Sequence, residues 1–327
     1  MFPSNSRRFA LATLAAVAAL AVAPWAQAQS GTKSVGITAI VDHPALDSVR
    51  KGVQDELKAL GWEEGKNLKL SYQSAQGNTA TAGQIARKFA GDKVDAIVAI
   101  ATPSAQAAVA ATKNVPVVFT AVTDPVAAKL VKDWKASGTN VTGVSDMLPL
   151  AAQMDLLLKV KPDAKRIGYV FSPGEVNSTI VLKELKTELK KRGMTVVEAA
   201  APRTVDIPSA AKSLVGKVDV IYTTTDNNVV SAYESMVRVA EEAKLPLVAA
   251  DTDSVKRGAV AALGMNYYDL GRQTGKVVDR ILKGTKPGAI PTEVGAKMSL
   301  VVNPGAGQKQ GVKLSDALVK EAAEVIK

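Results

Sequence analysis

The chain has 327 residues, no cysteine, one histidine and a formal net charge of +10. The missing cysteine excludes disulfides and thiolate metal sites. The lone His43 excludes His-rich zinc or iron centres and leaves at most one candidate for a His-dependent triad. The length is long for one hydrophobic core and comfortable for two.

Arg7 and Arg8 precede an unbroken run of apolar and small residues over 9–23. Ala26-Gln27-Ala28 then offers the small side chains that signal peptidase requires. The run is shorter than the roughly 20 residues of a membrane span, so residues 1–28 read as an export signal. Its removal takes two positive charges and leaves +8. That excess is dispersed over helical stretches such as 183–192, where Glu184 and Glu188 lie among the lysines. Such mixing marks a solvated helix face and not a nucleic-acid surface. No cysteine follows the signal to carry a lipid, so the mature chain is expected free in the periplasm.

From there β-rich runs alternate with amphipathic stretches. Strands are expected over 34–40, 67–73, 96–100, 115–120, 166–171, 195–198, 218–223, 247–250 and 259–263. Helices are expected over 45–60, 79–90, 104–112, 150–160, 178–192, 229–243 and 268–282. Strands alternating with helices imply parallel sheets covered on both faces. The order recurs in the two halves: a long helix, a glycine at its C-terminal cap (Gly61, then Gly193) and a second strand. The fold class is therefore α/β, with two similar doubly wound parallel-sheet lobes that divide near Met147-Leu148-Pro149. No long linker separates them, so the hinge is short.

No nucleophile elbow, zinc-binding His-Glu-x-x-His, phosphate-binding Walker loop or dinucleotide fingerprint occurs. Gly305-Ala306-Gly307 reads as a surface turn. No metal, cofactor or catalytic residue is assigned. The informative residues are the polar ones where strands end, because open α/β sheets bind ligands outside the carboxyl ends of their strands. Asp42 and His43 follow the first strand; Thr102 and Ser104 flank Pro103 after the third; Thr123 and Asp124 follow the fourth. In the second half Glu175, Asn177 and Ser178 follow the strand ending at Phe171, Asp226 and Asn227 follow Thr223, and Asp251 follows Ala250. Each could be an ordinary helix cap, and His43 could be a self-satisfied loop residue. Their recurrence in both halves points instead to one cleft. Hydroxyls and helix N-termini on one side with carboxylates on the other would suit a zwitterion.

Eleven segments in order carry a family resemblance. They are His43-Pro44-Ala45-Leu46-Asp47, Leu60-Gly61-Trp62-Glu63-Glu64-Gly65-Lys66-Asn67, Ala101-Thr102-Pro103, Thr123-Asp124-Pro125-Val126 and Asn140-Val141-Thr142-Gly143-Val144-Ser145-Asp146. The second half adds Arg166-Ile167-Gly168, Glu175-Val176-Asn177-Ser178, Thr225-Asp226-Asn227, Asp251-Thr252-Asp253-Ser254-Val255, Tyr267-Tyr268-Asp269-Leu270-Gly271-Arg272-Gln273 and Val301-Val302-Asn303. Together they resemble the substrate-binding proteins of an ABC-transporter family whose better-known members are receptors for tryptophan and other aromatic amino acids.

The resemblance implies a type I periplasmic-binding-protein fold with a three-crossover hinge. Lobe 1 would comprise 32–147 plus 266–295, and lobe 2 would comprise 148–265 plus 296–327. It also implies a non-enzymatic monomer that captures an amino-acid-like ligand and delivers it to the membrane permease of an ABC importer. By the pattern of similar receptors, Thr102, Ser104 and Thr123 would hold the ligand carboxylate, and Asp226 or Asp251 the amine. The alternative is a periplasmic sensor of a nucleoside or sugar-like solute that feeds a signalling partner.

Overall fold

The computed structural model describes residues 31–327. The export signal expected over 1–28 lies outside them. The first half runs β1 (Lys33–Ala39), α1 (Pro44–Ala59), β2 (Leu68–Ser74), α2 (Thr79–Gly91), β3 (Ala96–Ile100), α3 (Thr102–Ala111), β4 (Val117–Val122) and β5 (Val141–Ser145). The second half opens with α4 (Leu150–Val160), β6 (Arg166–Phe171), α5 (Val176–Lys191), β7 (Thr195–Ala200) and α6 (Ile207–Ser213). It continues through β8 (Val220–Thr223), α7 (Asn227–Ser231), α8 (Tyr233–Ala243), β9 (Leu247–Ala249), α9 (Asp253–Lys256) and β10 (Ala261–Met265). The end of the chain adds α10 (Tyr267–Leu282), β11 (Glu293–Val294), β12 (Met298–Val302), α11 (Pro304–Lys309), α12 (Asp316–Glu321) and β13 (Glu324–Val325).

Two sheets result, with strand orders β11-β5-β4-β3-β1-β2 and β13-β12-β10-β9-β8-β6-β7. Every pairing is parallel except β10 with β12. The first five strands of each half follow one plan: the opening strand lies between the second and the third, and the order then proceeds outward. Winding therefore reverses between β1 and β3 in one lobe and between β6 and β8 in the other. Loops leaving those strands diverge to opposite faces and leave a crevice at the carboxyl edge. Strands β3, β4 and β5 are buried at every position, as parallel strands covered on both faces must be.

Helix α10 follows a strand of the second sheet yet packs on α1 of the first lobe, and its glycines explain how. A Cβ at Gly271 would stand 2.1 Å from the Val49 carbonyl, and one at Gly52 would stand 2.2 Å from the Tyr268 carbonyl. Only a hydrogen at both positions lets the backbones touch. The chain then adds β11 beside β5 and returns to the second sheet as β12. Gly61 and Gly193, each just after a helix cap, take φ +90° and +65°, the left-handed conformation that ends helices at low cost.

Several elements depart from the sequence expectation. The helix expected over 229–243 is two helices, α7 and α8, meeting at Ala232. Strand β5 and helix α6 had no counterpart. Gly305-Ala306-Gly307 is not a surface turn: it lies inside α11, whose cap Asn303 accepts the Ala306 N–H, and both Ala306 and Gly307 are buried. No helix among the described residues is long and apolar enough to cross a membrane.

Candidate ligand-binding site

A cavity of about 320 Å³ lies where the carboxyl edges of the two sheets face each other. Its first-lobe wall is His43 and Leu46 after β1, Ala101 and Thr102 after β3, Ala121 and Thr123 at the end of β4, and Asp146 after β5. Its second-lobe wall is Asn177 of α5, Thr225, Asn227 and Val230 around α7, and Asp251 after β9; Tyr267 at the start of α10 completes it. A second cavity of about 440 Å³ adjoins it, sharing Thr123 and Thr225 and bounded by Met147, Leu148, Ile180, Val181 and Tyr222.

The backbone beside β3 and β4 is strained toward this space. Ala101 has φ 72° and ψ 156°, a region almost confined to glycine, and Ala121 has φ 52°. The turn at Ala101 sets the first turn of α3 against the cavity. Pro103 has no N–H, so the Thr102 and Ser104 amides are the donors left free there. The hydroxyls of Thr102 and Ser104 are buried and have no partner, although only Thr102 reaches the cavity wall.

The acids at strand ends differ sharply. Asp226 is fully buried behind the wall, where its carboxylate accepts the Ser172 N–H at 2.6 Å, the Ser172 hydroxyl at 2.9 Å, the Ser178 hydroxyl at 2.5 Å and the Val229 N–H at 3.0 Å. It pins the β6 and β8 loops together. Asp251 is at the wall, its oxygens accepting the Ser254 N–H at 2.8 Å and hydroxyl at 2.6 Å. Burial raises its pKa, partly offset by those two bonds. Asp146 is buried beside the hinge and accepts the Tyr267 hydroxyl through Oδ2 at 2.6 Å, while its Oδ1 has no partner. Burial raises its pKa, partly offset by the Tyr267 hydroxyl bond.

On the second lobe, Oε2 of Glu175 accepts Asn177 Nδ2 at 2.9 Å, Asn227 N–H at 3.1 Å and Asn227 Nδ2 at 2.7 Å. Burial and the neighbouring Asp226 push the Glu175 pKa up to about 7. His43 Nδ1 accepts the Leu46 N–H at 3.4 Å, which makes it the cap of α1 and leaves the proton of the neutral ring on Nε2. Burial, reinforced by the Arg257 charge, lowers its pKa to about 4. Asp42 is exposed and turned away, engaged by Tyr72 and Gln76. Asp124 caps the following turn through Val126 and Ala127 and borders the adjoining cavity.

The chain's sequence over residues 34–326 matches the profile of ABC transporter substrate binding proteins. The chain belongs to that family. It is 41% identical over 271 residues to the tyrosine-binding protein of Clostridioides difficile, covering 83% of this chain and 79% of that one. It superposes on the ABC domain in complex with L-Trp from Streptococcus pneumonia with a TM-score of 0.87 at 35% identity, covering 90% of this substrate-binding protein and all of that chain. The ligand-free, open structure of an adhesive substrate-binding protein from Clostridium difficile gives only 0.68 at 40% identity, over 90% of this chain and 99% of that one. The superposition is thus better on the L-Trp complex than on the ligand-free, open structure, although the identity is lower.

Of the residues singled out in the sequence, the structure brings His43, Thr102, Thr123, Asn177, Asn227 and Asp251 to the cavity wall. Ser104, Glu175, Ser178 and Asp226 stand behind it, and Asp42 and Asp124 lie outside it. Asp146, Thr225, Tyr267 and the strained Ala101 and Ala121 were not among the site residues expected. Asp146 obeys the same strand-end rule as the others; recognising β5 would have found it.

Proposed function

We propose that this substrate-binding protein is the exported, monomeric receptor of an ABC importer and captures an aromatic amino acid without transforming it. Its lobes are taken as 32–147 plus 266–295 and 148–265 plus 296–327, closing about the crossovers between them, and its station as the periplasm. The membrane permease is its partner. The tyrosine and tryptophan ligands of its relatives support this reading. The observation that carries it is the set of buried polar atoms left without partners at the cavity. An unpartnered buried carboxylate oxygen is costly, and an ammonium group repays that cost.

The ligand carboxylate would sit over the first turn of α3, on the free amides and the Thr102 hydroxyl, with Thr123 beside it. The ammonium would face Asp146 Oδ1, with Asp251 supplying further negative charge from the opposite lobe. A ring would lie against apolar Leu46 and Val230, toward the adjoining cavity. The test is mass spectrometry of small molecules released on denaturing the purified protein, followed by calorimetric titration of the stripped protein with tyrosine and tryptophan. Asp146→Asn is expected to weaken binding by roughly 2–5 kcal/mol. Release of a sugar or nucleoside, or undiminished affinity in both Asp146→Asn and Asp251→Asn, would refute the zwitterion reading.

A further inference from the structure

We infer that Asn177 makes the site selective for ligands whose side chain carries an N–H or O–H donor, with Glu175 as the residue that sets that demand. The inference rests on the amino-acid reading of the cavity and sharpens its substrate class. Asn177 stands in the first turn of α5, is only 6% exposed and lines the cavity. Its Nδ2 donates to Glu175 Oε2 at 2.9 Å and toward the Thr225 carbonyl at 3.4 Å. Both partners accept there: the Thr225 carbonyl has no proton, and Oε2 of Glu175 already takes three N–H donors, so a proton on that carboxyl sits on Oε1. A flipped amide would set Oδ1 against two oxygens and is excluded on electrostatic grounds. Oδ1 is therefore held as an acceptor, and it has no partner.

No surrounding group donates to this oxygen. Glu175 also takes the Asn227 N–H and one Asn227 Nδ2–H, so the nearest amide is turned to the carboxylate and not to Oδ1. The other unpartnered atom at the wall that only accepts, Asp146 Oδ1, belongs to the opposite lobe, as does the unpartnered Thr102 hydroxyl. The cavity thus offers two buried acceptors on two sides. An ammonium neutralises the carboxylate; a ligand with a second donor is needed to satisfy the amide. Phenol O–H and indole N–H meet that need, whereas a plain phenyl ring leaves Oδ1 buried and unpaired. Such an orphan weakens binding by about 5–150-fold.

The experiment is calorimetric titration of the stripped, full-length mature protein with tyrosine, tryptophan, 1-methyl-tryptophan and phenylalanine. At least one of the two donor-bearing amino acids is expected to bind about 5–150-fold more tightly than phenylalanine. If that ligand is tryptophan, ring methylation is expected to remove the advantage. In Asn177→Leu the preference is expected to fall toward unity while phenylalanine still binds. Glu175→Gln, which can donate as well as accept, frees the amide and is expected to lower the preference in part. Phenylalanine binding the wild type as tightly as both others would overturn the inference and leave the amino-acid reading standing. A preference unchanged in Asn177→Leu would do the same, and one unchanged in Glu175→Gln would remove Glu175 from the device. If none of the four ligands binds, the underlying reading falls and the inference with it. The wild-type series decides even if a variant fails to fold.

Discussion

Lowering the pH from 7.5 to 5 tests whether His43 is the buried neutral cap that the structure shows. Burial and the Arg257 charge take its pKa from 6.5 to about 4 in the folded chain. Between those values the unfolded chain binds a proton that the native chain refuses. The stabilisation is therefore fully present above pH 6.5 and is lost as the pH falls toward 4. The shift corresponds to about 3 kcal/mol in full, of which about 2 kcal/mol is lost by pH 5.

Glu175 acts in the opposite sense. Its pKa is raised to about 7, so between pH 7 and 4.5 the native state holds the proton and gains stability as the pH falls. Wild type alone thus shows a muted profile, and the informative quantity is the difference from His43→Gln, whose side chain can still accept the Leu46 N–H. Urea unfolding of the two proteins is expected to give a stability gap that shrinks by about 2 kcal/mol between pH 7.5 and 5. His43 is the only histidine, so its imidazole protons give an isolated NMR titration. A midpoint between 6 and 7, or a gap that does not change with pH, would refute the reasoning.

Asp226→Asn is expected to act on stability rather than on ligand affinity, because an amide cannot accept the four donors now bonded to that carboxylate. A loss of about 3 kcal/mol or more in urea unfolding, with an unchanged Kd in the folded fraction, is the expected result. Thr102→Val is expected to weaken amino-acid binding by about 1–2 kcal/mol in calorimetry, since the α3 amides remain in place. Gly271→Ala places a methyl 2.1 Å from the Val49 carbonyl and should force α10 off α1. A cost of about 1–3 kcal/mol is expected, read as a lower urea midpoint. Small-angle scattering should show the stripped protein contracting when ligand is added, as two lobes closing about a hinge require.

The two-lobed α/β architecture was legible in the sequence because alternation of strand and helix periods is a local signal. A parallel strand covered on both faces must be apolar along its whole length, as β3 is from Ala96 to Ile100. Strand β5 escaped because Thr142 and Gly143 interrupt that run. The fold buries both without penalty: the Thr142 hydroxyl donates to the Ile290 carbonyl at 2.9 Å, and Gly143 lies so close under Phe119 that no side chain would fit. With β5 went Asp146, the one acid at the cavity that keeps a free oxygen.

The strand-end rule found the crevice but could not rank its acids. In sequence Asp146, Asp226 and Asp251 are equivalent, each a polar residue beyond a buried strand. Asp251 is bonded by its own neighbour Ser254, three residues away. Asp226 is consumed by Ser172 and Ser178, 54 and 48 residues distant, and Asp146 meets Tyr267 across 121 residues. Spare hydrogen-bonding capacity is what a ligand can use. It depends on partners that chain folding brings from afar, so only the tertiary structure could decide it.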